Sequence, residues 1–298
     1  MLHVTNGHSV SLRDTGLEGH ILVWLDVLHE GPVPASLNAA ELRRVRGIFL
    51  DSEWPGESPA ELELARRDAE LEAHDEIALW FEHDLFDQLQ LIQILDRVHG
   101  AAARVSLIST NRYLGMLTGE ELASLWPARH DVAETEFELG EAAWRAFCSP
   151  DPAAIEALLA RGTAELPFLA GALRRHLQQF PSVECGLART ERQILEIALE
   201  GKHTFPSLFS ADQRREESIF MGDASLRRWI RALMECRHPL LSVEDGVYRV
   251  TGLGRDALAA KVDHVRLNGI NRWLGGVHLH GNESLWRWDE SAGRLRPK

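Results

Sequence analysis

Residues 76–98 read EIALWFEHDLFDQLQLIQILDRV, and this stretch decides the fold class of the chain. Its first six residues are an almost unbroken apolar run, which is typical of a strand buried on both faces of a sheet. From Leu85 onwards, apolar side chains return at positions 85, 89, 92 and 95, which is the spacing of a helix. The stretch therefore predicts a buried strand that passes, through Glu82-His83-Asp84, directly into an amphipathic helix.

The same alternation extends on both sides of this stretch. Further β-type runs lie at Leu2–Thr5, His20–Leu25 and Arg104–Ile108, and helical patterns cover residues 39–50 and 59–73. Strands that alternate with helices indicate βαβ units and a parallel sheet. We expect residues 1–118 to form an α/β domain with a parallel sheet in a three-layer arrangement. In such domains, ligands bind beyond the carboxyl ends of the strands.

The rest of the chain predicts two further parts. Residues 119–185 are mainly helical and form a helical connector. Residues 186–298 predict a winged-helix-like domain, because two helices, a hairpin and a further helix follow one another at 186–201, 224–236, 239–250 and after Thr251. Thr190 is the expected N-cap of the first of these helices. The domain ends in a Trp-rich segment, in which we expect Trp273, Trp286 and Trp288 to close a C-terminal core.

Charge is spread unevenly over the 298 residues, whose formal net charge is −13. Residues 1–185 carry 14 Lys and Arg against 30 Asp and Glu, whereas residues 186–298 carry 18 against 15. The first part should repel nucleic acid and anionic membranes, so only the second part is a candidate for DNA binding. The sequence has no run of 18 apolar residues, no secretory signal pattern at its start and no CxxC pair. These features predict a cytoplasmic protein without a membrane partner.

Polar side chains follow every predicted strand of the α/β domain. Because the carboxyl ends of parallel strands meet at one edge of the sheet, we expect these groups to share one crevice. The candidates for catalysis, chosen for acid–base or metal chemistry, are His29, Glu30, Glu82 and His83. The candidates for ligand binding are Asn6, Gly7, Asp26, Asp84, Asp87 and Gln88. No Walker loop, GxGxxG, HExxH or GxSxG motif is present, so the set indicates no single reaction.

Individual members of this set also have purely structural interpretations. Asp84 and Asp87 fit the N-cap and the first turn of the helix that follows them. Asn6-Gly7 fits a tight turn, His29 fits a solvated loop, and His83 fits a partly buried histidine. Capping alone does not account for polar clusters at four strand ends, which favours a site.

In the winged-helix-like domain, the helix at 224–236 is the candidate recognition helix. It carries Arg227, Arg228 and Arg231, which suit contacts with DNA phosphates. The alternatives are a solvated basic face, a contact with another protein, or a contact with the acidic first domain. His278 and His280 would share one face of a strand, as paired metal ligands do, but two histidines without a carboxylate are more commonly surface residues.

Four motifs resemble a widespread bacterial family that is catalogued only as a domain of unknown function. They are LHVTNGHS at 2–9, WLDVLHEGPVP at 24–34, LWFEHDLFDQLQL at 79–91 and LNGINRWLGGVHLHG at 267–281. The resemblance covers nearly the whole chain and implies that the strand-end polar residues belong to a site shared by the family. This chain departs from the family pattern at His8, where the family has Asp, and at Leu25, where it has Arg.

We expect the α/β domain to bind a small polar ligand, phosphorylated or nucleotide-like, and to hydrolyse or transfer it. Metal dependence stays open in this prediction, although His nitrogen and carboxylate oxygen are the donors that a divalent metal uses. A second hypothesis is a non-catalytic regulator, in which the α/β domain senses a ligand and the winged-helix-like domain acts on DNA or on a protein. A third is a structural unit in which both domains serve assembly.

Overall fold

The computed structural model describes residues 1–283 and 285–297, and it divides into two compact units. The first unit is Met1–Leu173 together with Gly275–Val277, and the second is Arg174–Leu274 with His278–Lys298. The division therefore falls inside the segment 119–185, which the sequence predicts as a connector. Ser284 and Lys298, both in the predicted segment 186–298, lie outside the described residues.

The first unit alternates strands with helices. Its strands are β1 (Leu2–Thr5), β2 (His20–Val23), β3 (Gly31–Pro32), β4 (Glu76–Phe81), β5 (Arg104–Ser109) and β6 (His130–Asp131). Its helices are α1 (Ala39–Glu53), α2 (Ala60–Glu72), α3 (Leu85–Val98), α4 (Gly119–Leu125), α5 (Glu134–Cys148), α6 (Ala153–Arg161) and α7 (Leu169–Leu177), and the division between the units falls within α7. Short 3₁₀ turns lie at Leu12–Thr15, Leu114–Met116 and Trp126–Ala128.

One five-stranded sheet organises this unit, with the strand order β2-β1-β4-β5-β6. The strands β2, β1, β4 and β5 are parallel, and β6 pairs antiparallel with β5 at the edge. The predicted α/β class with a parallel sheet is thus confirmed. The chain runs from β1 to β2 on one side, whereas β4 lies on the other side of β1, so the strand order reverses between β1 and β4. Doubly wound sheets bind ligands at the carboxyl ends beside such a reversal.

The segment from β4 to α3 is built as its sequence pattern predicts. All of β4 after Glu76 is buried, because Ile77–Phe81 has apolar neighbours on both faces of the sheet. Helix α3 begins after the N-cap Asp84, whose extended backbone and side-chain oxygen suit that position. On one face of the sheet, Trp80 packs in a core cluster with Val10, Leu12, Ile108, Leu114 and Leu122. The strand end is therefore anchored by apolar burial immediately before its polar residues begin.

After the end of α7, the second unit continues with three helices and a hairpin. Its helices are α8 (Arg189–Glu200), α9 (Phe205–Gln213), α10 (Asp223–Glu235), α11 (Gly252–Leu258) and α12 (His264–Asn268). Its strands are β7 (Leu241–Glu244), β8 (Val247–Val250), β9 (Ile270–Gly275), β10 (Val277–Gly281), β11 (Trp286–Asp289) and β12 (Arg294–Pro297), except that Gly275 of β9 and Val277 of β10 belong to the first unit. The turn between β7 and β8 has positive φ at Asp245 (51°) and at Gly246 (74°), as a two-residue hairpin requires.

Two details of this unit differ from the sequence prediction. Helix α9 lies between the two predicted helices and was absent from the predicted order. Thr190 is not an N-cap, because α8 begins after Ala188. The Thr190 hydroxyl is buried, donates to Gln179 (3.0 Å) and accepts from Arg175 (2.9 Å). The Thr190 hydroxyl therefore takes part in a buried hydrogen-bond network of side chains and does not cap the helix.

None of the helices among residues 1–283 and 285–297 combines the length and the apolar character that crossing a bilayer requires.

Candidate functional site

Three carboxylates form a compact cluster where β4 passes into α3. Glu82, Asp84 and Asp87 each offer one oxygen atom, and these atoms all lie within 4.8 Å of one another. All three side chains are buried. Oxygen donors at this spacing are the kind of set that holds a hard divalent cation. The structure therefore brings together three of the residues that the strand-end pattern predicts.

Hydrogen bonds within the strand–helix junction fix the positions of these carboxylates. Asp84 Oδ1 accepts from the backbone N–H of Asp87 (3.1 Å), which is the N-cap bond of α3. Asp87 Oδ1 in turn accepts from the backbone N–H of Glu82 (2.8 Å). The structural interpretation of Asp84 as a cap is thus correct, but it does not exclude a site, because the same geometry turns the acids toward each other.

Asn6 joins the cluster from the neighbouring strand. Thr5, the last residue of β1, pairs with Trp80 of β4, so the residues after the two strands meet at the point where the strand order reverses. The Asn6 side-chain amide donates to Asp87 Oδ2. Gly7 follows in an open position among the described residues, where an added Cβ would meet Ser9 Oγ at 3.8 Å. The predicted meeting of polar groups from two strand ends is therefore present for Asn6 and Asp87.

The loop after β5 supplies a third side of the cluster through its backbone. Glu82 Oε1 accepts from the N–H of Leu114 (2.6 Å), in the turn that follows β5. This turn approaches the loop after β1 closely, because a Cβ on Gly115 would lie 2.6 Å from Ser9 Oγ. Sequence reasoning missed Leu114 and Gly115. Both residues donate through their backbone N–H groups, so their side chains do not mark them as site residues in the sequence. The one sequence feature that indicates a close approach here is the glycine at position 115.

Burial dominates the electrostatics of this cluster. It raises the pKa of Glu82 to about 7, against the opposing hydrogen bonds from Leu114 and Gly115. Burial, with the nearby charge of Glu82, raises the pKa of Asp84 to about 7. Burial and the charges of Asp84 and Glu82 raise the pKa of Asp87 well above its usual range. Within the described residues, none of the three is in an ion pair with Lys, Arg or His. Near neutral pH, the cluster thus favours either protons or a cation.

Buried side-chain oxygen atoms on β1 and α3 also have no hydrogen-bond partner among the described residues, and those of Gln88 and Thr5 lie on the residues nearest the strand ends. Gln88 donates its amide N–H to the Glu82 carbonyl (2.6 Å), while its buried Oε1 accepts no bond. Thr5 Oγ1, at the end of β1, is likewise buried without a partner. Buried polar atoms are normally satisfied, so each of these is a place where water or a ligand is expected.

His83 lies beside the cluster in an aromatic surround. Its half-buried ring contacts Tyr113 and Phe168, at 5.0 Å and 5.9 Å between ring centroids. Burial lowers the pKa of His83, although a hydrogen bond with the Thr110 backbone opposes this shift. The imidazole is therefore mainly neutral at pH 7 and able to accept a proton.

The residues after β2 form a set organised by Arg46 of α1. Asp26 accepts from Arg46 through both oxygens, and the Nη2–Oδ1 distance is 2.6 Å. Arg46 also donates to the carbonyl oxygens of Glu30 (2.7 Å) and Val27 (3.0 Å). Asp26 is thus held by a buried ion pair that shapes its loop. Sequence reasoning missed Arg46, because nothing in a helical Arg marks it as buried.

His29 and Glu30 are buried in the same loop. His29 Nε2 lies 3.9 Å from Glu30 Oε1, and the His29 ring packs edge-on against Phe86 at 5.9 Å. Phe86 precedes Asp87 in α3, so this pair lies beside the helix that carries the carboxylates. The alternative interpretation of this segment as a solvated loop is therefore wrong, because His29 and Glu30 are both enclosed, and the pair stays a candidate for acid–base chemistry.

The predicted basic residues of the second unit lie on α10. Arg227 and Arg231 are exposed and Arg228 is half-buried. The Arg227 guanidinium lies over the Phe205 ring, 3.3 Å from the ring centroid, and its Nε is 3.8 Å from Asp223 Oδ2.

His278 and His280 are exposed on β10, and His278 stacks on Trp273 with ring centroids 4.4 Å apart. No carboxylate joins these two histidines in the part of the chain that the structure describes.

Comparison with models of known protein families found no match to this chain, and comparison with curated proteins found none either.

Proposed function

We propose that the first unit binds a small phosphorylated or nucleotide-like ligand at the carboxyl edge of its sheet, through a divalent cation held by Glu82, Asp84 and Asp87. The observation that carries this proposal is the convergence of three buried carboxylate oxygens within 4.8 Å, without a basic partner among the described residues. Its position beside the β1–β4 reversal supports it, because ligands of such sheets bind there.

A cation explains how an acidic cluster can serve an anionic ligand. Three carboxylates would repel a phosphate that approached them directly, whereas Mg²⁺ or Mn²⁺ binds carboxylates on one side and phosphate oxygens on the other. The buried oxygens of Gln88 and Thr5 are of the hard type that such an ion, or its water ligands, prefers. Glu82 acts as a cation ligand in this proposal, and Asn6 positions Asp87.

The chemistry that this set favours is hydrolysis or transfer of a phosphoryl or related group. A bound divalent cation would supply charge neutralisation and polarisation of a phosphate oxygen. His83, kept neutral by burial, is the candidate to accept a proton from the attacking hydroxyl. His29 and Glu30 are a second acid–base pair, next to Phe86 of α3.

Calorimetric titration of the EDTA-treated full-length protein with Mn²⁺, followed by a panel of nucleotides and sugar phosphates, tests this proposal. We expect saturable Mn²⁺ binding that weakens by at least about tenfold in E82Q, D84N and D87N, because each variant removes a charged ligand. Exposed Asp151 accepts from Ala153 in α6, so D151N is a matched control that should bind as wild type does. Absence of Mn²⁺ binding, or ligand binding that ignores Mn²⁺, would contradict the proposal. Phosphate release with Mn²⁺ present separates an enzyme from a binding protein.

A second candidate function is a regulator whose second unit acts on DNA or on a protein. The order α8-α9-α10-β7-β8 favours a winged-helix-like assignment, and exposed Arg227 and Arg231 lie on the helix that would enter the major groove. Fluorescence anisotropy with duplex DNA at two salt concentrations tests it, since binding through phosphates weakens steeply with salt. If no binding occurs even at low salt, the DNA form of this hypothesis fails.

The family and cellular context are part of the same proposal. We propose that the chain belongs to the bacterial family whose motifs it resembles, that it works in the cytoplasm, and that its first unit is a three-layer α/β domain. The polar residues of the LHVTNGHS and LWFEHDLFDQLQL motifs support the family assignment, because Asn6 and the three carboxylates meet in one place. A match between these positions and a ligand-contacting set in a solved member would test it.

A further inference from the structure

We propose that the second unit carries an anion-binding pocket, separate from the carboxylate cluster, that takes a small molecule with a phosphomonoester or diphosphate group. The pocket, of about 500 Å³, lies between the C-terminal end of α8, the β7–β8 hairpin and the start of α11. This volume is in the range of small-molecule sites.

Backbone pairing holds the walls of this pocket together. Tyr248 of β8 donates its N–H to the carbonyl oxygen of His203 (2.9 Å), which ties the segment after α8 to the hairpin. Thr251 ends the hairpin and caps α11, accepting from the N–H of Gly254 (3.1 Å). The pocket is therefore formed by three elements with fixed connections, and a ligand would not have to order them.

The charge of the pocket selects an anion. Lys202, Arg249 and Arg255 line it, and Glu244 is the carboxylate among its lining residues. Arg249 pairs with Glu244 at 2.8 Å, so that carboxylate is already neutralised. Within residues 1–283 and 285–297, Lys202 and Arg255 have no ion-pair partner. The pocket lies in residues 186–298, where Lys and Arg outnumber Asp and Glu by 18 to 15, and a phosphate would pair with the two cations that share it.

The remaining lining indicates a phosphorylated organic molecule rather than a bare ion. The half-buried Tyr248 offers an aromatic face and a hydroxyl, and Ser242 and Thr251 add hydroxyls. Sugar and nucleoside phosphates combine a phosphate with a polar or aromatic body, which this lining matches. Phosphate contact through cationic side chains is also the chemistry of nucleic-acid binding, so the test must separate the two sources.

Calorimetric titration of the full-length protein with ADP, pyrophosphate and adenosine, in buffer with EDTA, tests this pocket. EDTA removes the cation on which ligand binding at the carboxylate cluster of the first unit depends. Binding in EDTA therefore reports on the second-unit pocket alone, and the failure of one proposal can be distinguished from the failure of the other. We expect ADP and pyrophosphate to bind and adenosine not to bind. In K202A/R255A the affinity for ADP should fall by at least about tenfold, which is the loss of ~1.4 kcal/mol. Both side chains are exposed, so the variant should fold, and R237A, an exposed Arg outside the pocket lining, should bind ADP as wild type does.

Three results would overturn the proposal. The first is no ADP or pyrophosphate binding by the wild-type chain at millimolar ligand. The second is equal ADP affinity in wild type and K202A/R255A. The third is duplex DNA binding that K202A/R255A weakens while ADP does not bind, because the cations would then contact nucleic acid. A melting curve of each variant without ligand confirms that it is folded.

Discussion

Replacing Asp84 by Asn should raise the free energy of unfolding of the metal-free protein at high pH and weaken its binding of a divalent cation. The substitution keeps the N-cap, because Asn is as good a cap as Asp and its Oδ1 can still accept from the Asp87 N–H. It removes one of three negative charges within a 4.8 Å cluster. The change thus isolates the charge of Asp84 from its structural role.

The magnitude follows from the pKa of Asp84, which is raised from 3.8 to about 7. The folded state binds this proton more tightly than the unfolded state, so unfolding releases a proton and stability falls as pH rises. The loss begins near pH 4, grows until about pH 7 and then levels off. About three pH units correspond to ~4 kcal/mol at most, and we expect D84N to exceed wild type by about 2–4 kcal/mol at pH 8.

Urea unfolding at pH 4, 6 and 8, with EDTA, measures this difference. D84N and wild type should differ little at pH 4, and the advantage of D84N should grow toward pH 8. With Mn²⁺ at about a hundred times its Kd, wild type should gain ~2.7 kcal/mol while D84N gains less. The control D151N removes an exposed acid with a similar helix-start bond and should change the free energy of unfolding by less than ~0.5 kcal/mol. A D84N advantage that is absent or independent of pH would refute the electrostatic argument.

Two further substitutions test the framework around the site. Arg46→Met should lower the free energy of unfolding by about 3–5 kcal/mol in urea titrations, because it leaves the Asp26 carboxylate buried without its cation; a loss below ~1 kcal/mol would contradict the ion-pair assignment. Gly119→Ala should cost about 1–3 kcal/mol, since its Cβ would lie 2.4 Å from the Asp14 carbonyl oxygen. Gly171→Ala, in open space on α7, is its control and should show no loss in thermal melting.

The elements around residues 76–98 were predictable because one physical cause dominates each of them. Burial on both faces selects the apolar run of β4, and a 3.6-residue period selects α3, so both agree with the sequence pattern. Helix α9 was missed for a different reason. It begins with Phe205-Pro206, and Pro indicates a break when it is considered alone. At the first turn of a helix, however, the missing N–H costs nothing, so Pro is tolerated there.

The candidate site was predictable in its residue types but not in its partners. Polar residues after β1 and β4 were expected to meet because parallel strands end at one edge, and Asn6 and Asp87 do so. The partner of Asp26 was not predictable, because Arg46 is 20 residues away on a helix whose other arginines, Arg43 and Arg44, are more exposed. Long-range pairing of this kind depends on how α1 packs, which a local pattern does not encode.

Two buried acids of the first unit, Asp26 and Asp68, are paired with arginine, whereas the carboxylate cluster is not, and this contrast argues for an occupant at the cluster. Asp26 forms an ion pair with Arg46. Asp68 forms ion pairs with three arginines, Arg43, Arg67 and Arg97. Although burial acts against the charge of Asp68, these cations hold its pKa below the usual range. The cluster that contains Asp84 has no such partner among the described residues, and its pKa values are raised. An arginine side chain placed next to the cluster would have neutralised these acids, as arginine does for Asp26 and Asp68 in the same unit. The unpaired cluster, whose raised pKa values oppose ionisation near neutral pH, therefore supports the proposal that it takes a cation from solution.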